Sequence, residues 1–379
     1  MNIHIFGFPH IHFSEGTYND PFSFLVRNFS KWMKQRGHKI YFYGTEESNI
    51  DCTEHINVLR ADEYDKHFSE NRNQNYIYNR HKDDSIWSTF NARCRHEFQS
   101  RLSPGDVVST LCGIQSEIPC GCYRNPKVDL FVCHPYINST HNVFLSHTWR
   151  AYTYGMLKSE YSKDGEHIGA FHNDTMIYPG LDWNDYKFVK DKKDYILYIG
   201  RINQLKGIYS LISVCVQNGM NLKIGGSLYR GVEHELFDII DNHSNIEYLG
   251  GLNHKDKVEY LSNAKCLVSP SFYHEPFGLI NIEAFACGTP VISSSWGAPS
   301  EYINHGVNGF QCSDTEDLKY FLNKLNTINY DWCLESVDTG FFNKDRMISA
   351  YESYLNRLVS VYEYKYNPTK KITPDRWFS

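Results

Sequence analysis

The 379-residue chain predicts an α/β protein with two doubly wound parallel sheets. The opening, Ile3 to Gly44, reads strand, loop, helix, strand. From Tyr195 to Ser294, short apolar runs alternate strictly with helical segments. The runs are continuously apolar, as strands covered on both faces require. The length agrees, because 379 residues make about two domains.

In the first half, Ile3–Phe8 reads as a strand ending at a glycine, and Pro9 to Asn19 as a loop. A helix from Asp20 to Gln35 follows, with Phe22, Leu25, Val26, Phe29, Trp32 and Met33 at helical spacing and Gly37 closing it. Lys39–Gly44 is the second strand, Asp62–Arg101 is mostly helical and polar, and Gly105–Leu111 and Val128–Cys133 are further strands. Between His134 and Thr175 the pattern is irregular apart from a helix near Ser146–Lys158, and Met176–Gly180 is a last strand entering a linker. In the second half, strands are expected at Tyr195–Gly200, Asn221–Gly226, Ile246–Gly250, Cys266–Pro270 and Pro290–Ser294. Helices fall between them at Gly207–Asn218, Glu233–Asn242, Lys255–Asn263 and Leu279–Cys287. The boundary falls near 180–192, giving domains 1–180 and 190–343. The amphipathic stripe Met347, Tyr351, Tyr354, Leu355, Leu358 and Tyr362 lies within 344–379, a terminal helix expected to pack back on the first domain.

Composition narrows the function classes. The chain is 41% hydrophobic and 22% charged, which excludes a disordered protein. No apolar run approaches the ~18 residues of a membrane span, and the N-terminus reads as a strand rather than a signal peptide. A net charge of −6 argues against a large nonspecific nucleic-acid surface. Eleven scattered cysteines fit a reduced, cytoplasmic protein. Cys112, Cys120, Cys122 and Cys133 do not have structural-zinc spacing, since Cys120 and Cys122 are separated by one residue. No Asp-x-Asp pair follows a strand, so neither a metal nor another cofactor is expected.

The strongest chemical pattern is Glu275-Pro276-Phe277-Gly278-Leu279-Ile280-Asn281-Ile282-Glu283-Ala284. A helix beginning near Gly278 aims its first N–H groups at the cleft outside the strand ends, a phosphate site made from backbone donors. Glu283, in the second turn, suits a ribose diol, and Glu275 sits nearer a sugar. Gly200-Arg201-Ile202-Asn203-Gln204-Leu205-Lys206-Gly207 also follows a strand and precedes a helix. Arg201 as a planar fork and Lys206 as a point charge can both reach a diphosphate. His134, at the carboxyl end of a first-domain strand, and His10 and His12 near the cleft are further candidates.

These motifs carry a resemblance. With Ser269-Pro270-Ser271, Cys287-Gly288-Thr289-Pro290-Val291-Ile292, Gly297-Ala298-Pro299 plus Glu301, and Gly306-Val307-Asn308-Gly309-Phe310, residues 195–325 resemble the nucleotide-sugar-binding domain of retaining GT-B glycosyltransferases of the GT4 type. The resemblance implies two Rossmann-like domains facing across a cleft and an enzyme that moves a sugar from a nucleoside diphosphate sugar, UDP by family frequency, to a hydroxyl. It implies donor contacts at Gly16, Gly200, Arg201, Lys206, Glu275, Phe277, Gly278, Leu279 and Glu283, with catalysis at Glu275, Lys206, Arg201 and His134. Gly16 would approach from the first domain, although that loop lacks the family's usual paired glycines. The acceptor is a saccharide or glycoconjugate, or, alternatively, a hydroxymethylated base in duplex DNA. For DNA, Lys66, Arg72, Arg80, Lys82, Arg93, Arg95 and Arg101 supply a local basic face. A GT-B sugar epimerase and an NAD-dependent oxidoreductase are lesser alternatives; the Gly-x-Gly-x-x-Gly fingerprint of the latter is absent after Phe6 and after Ile199.

Overall fold

A computed structural model describes residues 1–14, 21–68, 85–111, 115, 117–119, 122–134, 137, 139–161, 173–228, 233–338 and 341–366. The first sheet contains β1 (Asn2–Phe6), β2 (Lys39–Thr45), β3 (Glu54–Leu59), β4 (Val107–Thr110), β5 (Lys127–Val132), β6 (His141–Phe144) and β7 (Thr175–Met176). All pairings are parallel, in the order β3-β2-β1-β4-β5-β6-β7. Helices α1 (Pro21–Gln35), α2 (Ala61–Phe68), α3 (Ser85–Gln99) and α4 (His147–Tyr161) belong to this half. Ile3, Ile5, Phe29, Met33, Phe42 and Phe98 are fully buried, which explains why continuous apolar runs stand at β1 and β2.

The second sheet runs β10-β9-β8-β11-β12-β13, again all parallel. Its strands are β8 (Ile196–Ile199), β9 (Leu222–Gly225), β10 (Ile246–Gly250), β11 (Cys266–Ser269), β12 (Val291–Ser294) and β13 (Gly309–Cys312). Helices α5 (Ile208–Gln217), α6 (Glu233–Asn242), α7 (His254–Asn263), α8 (Leu279–Ala286), α9 (Pro299–Tyr302), α10 (Thr315–Leu322) and α11 (Tyr330–Asp338) complete this half. Strand order reverses between β8 and β11, and between β1 and β4 in the first sheet. Open α/β sheets bind ligands outside the strand carboxyl ends at such switch points.

Two connections join the halves. The outgoing segment meets the returning one where Leu181 N–H donates to the Phe342 carbonyl (2.7 Å) and Lys344 N–H to the Leu181 carbonyl (3.1 Å). The chain then forms α12 (Lys344–Tyr366) against the first domain. Tyr351 packs on Phe29 (5.0 Å), Arg36 pairs with Glu352 (2.9 Å), and Tyr362 meets His141 (3.1 Å).

Strands β3 and β6 and the elements α9, β13, α10 and α11 were not anticipated. β3 and β6 read Glu-His-Ile-Asn-Val-Leu and His-Asn-Val-Phe, polar enough to break the apolar run expected of buried strands. β6 still lies buried along its length, because Asn142 donates to Asp174 (2.9 Å) and His141 meets the α12 tyrosine. The strand expected at Met176–Gly180 is only Thr175–Met176, since the chain leaves the sheet toward the linker at Ile177.

Candidate active site at the β8 and β11 carboxyl ends

The loop after β8 is built to project Lys206. Asn203 caps a single 3-10 turn, Gln204–Lys206, by accepting from Lys206 N–H (3.0 Å). Gly207 ends the turn in the left-handed region (φ 69°). A Cβ there would stand 1.8 Å from the Pro270 carbonyl oxygen, so only glycine lets this loop sit on the loop after β11. The two loops are stitched together where Phe272 N–H (2.8 Å) and Tyr273 N–H (3.1 Å) donate to the Leu205 carbonyl.

That stitching brings Lys206 and Glu275 into an ion pair, with both side chains largely buried. The Lys206 ammonium also lies 5.1 Å from the centre of the Tyr273 ring. Arg201 and Glu275 both act electrostatically on Tyr198 and Tyr273, so the four share one neighbourhood. Burial raises both phenols above their ordinary value; Glu275 adds to this and Arg201 opposes it. Gly200, at the end of β8, lies under Tyr198, and a Cβ there would come within 3.2 Å of the Tyr198 hydroxyl.

Gly278 is the N-cap of α8 in the left-handed region (φ 82°), and Leu279 is its first residue. A glycine cap has no side chain to cover the first N–H groups, whose partial positive charge suits an anion. The ring of Phe277, expected from the sequence to contact the donor, is turned into the core. It is 2% exposed and packs on Tyr178, Tyr302 and Phe342, holding the turn from inside. Glu283 is 3% exposed and accepts from Lys257 (2.5 Å) and Tyr186 (3.0 Å) through the same oxygen. A ribose diol would therefore enter a carboxylate site already held by two donors. Lys257 also lies 6.0 Å from the ring of Phe24 on the opposite domain.

The first domain supplies the facing wall. β5 carries a bulge near its end: Phe131 is left-handed (φ 58°) and the register to β6 shifts between Asp129 and Val132. This re-aims the end carrying Cys133 and His134. Cys133 is close enough to raise the Tyr273 phenol, which places the strand end opposite the Glu275 loop. His134 is partly buried two residues beyond β5. Tyr152 of α4 stacks on His274 (4.8 Å, 16°) across the domains. His12 is anchored within the first domain, bonded to Thr45 (2.8 Å) and Glu47 (3.1 Å), and His10 stacks on Phe8 (5.6 Å). Gly16 lies outside the described residues, as do Arg72, Arg80, Lys82, Cys112 and Cys120.

The structure thus joins Lys206 to Glu275, three residues before the Gly278 cap of α8, puts Arg201 within electrostatic reach of the same two tyrosines as Glu275, sets Phe277 in the core, and couples Glu283 to Lys257. Tyr273, Lys257 and Tyr186 were missed from sequence. Tyr273 had a signal in the sequence, standing two residues before Glu275. Among the described residues no group of three or more His, Cys, Asp or Glu is placed to hold a metal ion, and no helix is long and apolar enough to cross a membrane.

Residues 183–332 match the family model described as Glycosyl transferases group 1. The second domain belongs to that family. An uncharacterized glycosyltransferase of Methanocaldococcus jannaschii is 36% identical over 127 residues, 32% of each chain. The chain spans 21% to 46% of the length of the curated relatives it matches. Two solved structures align along nearly the whole chain. Sucrose-phosphate synthase from Thermosynechococcus elongatus gives a TM-score of 0.70 at 16% identity, covering 95% of this chain and 99% of its own. Anabaena HepE, crystallised with UDP-glucose, gives 0.64 at 14% identity, covering 95% and 100%. The architecture is therefore GT-B, with the group 1 domain forming the half that carries Arg201, Lys206 and Glu275.

Proposed function

We propose that the chain is a retaining glycosyltransferase that moves a sugar from a UDP-sugar to a hydroxyl of a saccharide or glycoconjugate. The observation that carries this reading is the Lys206–Glu275 pair, beside Arg201 and the glycine-capped start of α8, at the switch point of a group 1 domain. The UDP-glucose complex of Anabaena HepE, a GT-B neighbour, supports uracil as the base.

The chemistry follows from charge. As the anomeric C–O bond breaks, its electron pair passes to the diphosphate oxygen. Arg201, Lys206 and the α8 N–H groups lie ready to stabilise that developing negative charge. The acceptor oxygen then bonds to the anomeric carbon from the face the diphosphate leaves, and its proton passes to the departing phosphate oxygen. Glu275 holds the transferred sugar, and its ion pair with Lys206 keeps both groups in place before the donor arrives.

The reading is tested by incubating the protein with UDP-sugars and saccharide acceptors. UDP release should depend on acceptor, and proton NMR should show the donor's anomeric configuration kept in the product. An inverted product would reject the retaining assignment, and acceptor-independent release would reject transfer. Duplex DNA is not favoured as acceptor. Arg93 pairs with Glu63 (2.7 Å), and Arg101 with Glu54 (2.9 Å) and Glu97 (2.8 Å), so the described part of the polar helical region is charge-balanced.

A further inference from the structure

Glu301 belongs to the Gly297-Ala298-Pro299 motif, and the donor chemistry gives it no task. Its carboxylate reaches across to the first domain and takes three hydrogen bonds. Oε1 accepts from Thr148 N–H (2.5 Å), while Oε2 accepts from His147 N–H (3.2 Å) and the Tyr178 hydroxyl (2.6 Å). The first two donors are the opening N–H groups of α4, so a glutamate of one domain caps a helix of the other.

Ser146 makes the neighbouring link. Its hydroxyl accepts from Trp149 N–H (3.1 Å) and donates to the Pro276 carbonyl (2.7 Å), next to Glu275. On the second-domain side, Ala298 N–H donates to the Glu275 carbonyl (3.0 Å). The Glu275 turn is thus held between α9 behind and the start of α4 in front. Any movement of α4 relative to Glu301 moves a contact one residue from Glu275.

We propose that Glu301 is a positioning residue that ties the start of α4 to the Glu275 turn, so that cleft geometry and the placement of Glu275 change together. Its role in turnover rests on the glycosyltransferase reading; its role as an interdomain cap does not. A carboxylate is needed because the two N–H groups and the phenol call for two acceptor oxygens and the helix terminus favours negative charge.

The test compares full-length wild type, Glu301→Gln and Glu301→Ala by backbone hydrogen exchange and steady-state kinetics with a UDP-sugar. In Glu301→Ala the amides of His147 and Thr148 should exchange about tenfold faster, with protection of β1 and β8 unchanged. Glu301→Gln, which keeps one acceptor oxygen, should fall between the two. Turnover should drop about tenfold in Glu301→Ala while the donor KM stays within about twofold, because the lost contacts are to His147, Thr148 and Tyr178 and none is to Arg201, Lys206 or the α8 N–H groups placed on the diphosphate. Unchanged exchange in both variants overturns the cap. Faster exchange with unchanged kcat overturns the positioning role. If Glu301→Ala fails to fold, Tyr178→Phe removes one partner and keeps the ring packing, and it must shift kcat in the same direction by a smaller factor. A wild type without turnover on any UDP-sugar refutes the enzymatic reading and the positioning role with it, while the exchange result still decides the cap.

Discussion

The carboxyl ends of the two sheets differ in what they bring to the cleft. At the second sheet, Arg201, Lys206 and Glu275 converge within two stitched loops. At the first, the described groups that face it are mostly rings and helix-start N–H groups: Tyr152 stacks on His274, Phe24 lies near Lys257, and His147 and Thr148 donate to Glu301. Two of the first domain's described arginines, Arg93 and Arg101, are held in ion pairs on the polar helical region. On the proposed reading a charged diphosphate requires fixed charges and oriented N–H groups, and among the described residues the second domain has them at its sheet's carboxyl end. On the same reading the first domain's part is to position the acceptor hydroxyl.

The largest expected effect tests whether charge in the second domain also holds the fold. Lys257→Met leaves the Glu283 carboxylate buried without its cation, and urea unfolding should show a loss of about 3–5 kcal/mol. Adding Glu283→Gln should recover much of that loss; no recovery would mean that the pair is not coupled. Next, Lys206→Ala and Glu275→Gln should each lower kcat by about 10²–10³, or roughly 3–4 kcal/mol, with unchanged circular dichroism. Near-normal turnover in either removes that residue from the site and weakens the contrast between the domains.

A pH experiment addresses the first domain. Burial, aided by Arg357, holds His141 at about 4 rather than its ordinary 6.5. The unfolded chain therefore binds a proton that the folded chain refuses between those values. Stability is full above about pH 6.5 and is lost as pH falls toward 4, on the order of 3 kcal/mol. Replacing His141 with Gln should flatten that part of the pH-stability curve; an unchanged slope would assign it to other groups. The smallest effect is at Arg93, whose pair with Glu63 is partly exposed. Arg93→Gln should cost less than about 1 kcal/mol and leave turnover unchanged, and a large loss of activity would bring that face into the site.

The second domain was the more legible half because short strands alternate strictly with helices and its turns carry glycines and charges at fixed offsets. The Lys206 loop, the α8 start and the Glu275 position could all be read that way. β6 could not, because burial of His141 and Asn142 depends on Tyr362 and Asp174, distant in the chain. The Glu283–Lys257 pair joins two helices 26 residues apart, and the Glu301 cap crosses domains, so neither leaves a periodic trace. Phe277 shows the converse. Its place within the glutamate motif suggested a donor contact, but an apolar ring beside a turn is better satisfied by the aromatic core.

The most direct test of the central claim is a thermal-shift panel of the full-length protein with UDP, GDP, ADP, TDP and NAD. Saturating ligand at ~100-fold its dissociation constant adds about 2.7 kcal/mol to folding. The account predicts a selective shift with UDP that is lost, at the same concentration, in Lys206→Ala. A shift with NAD alone, or with none of the five, would contradict it.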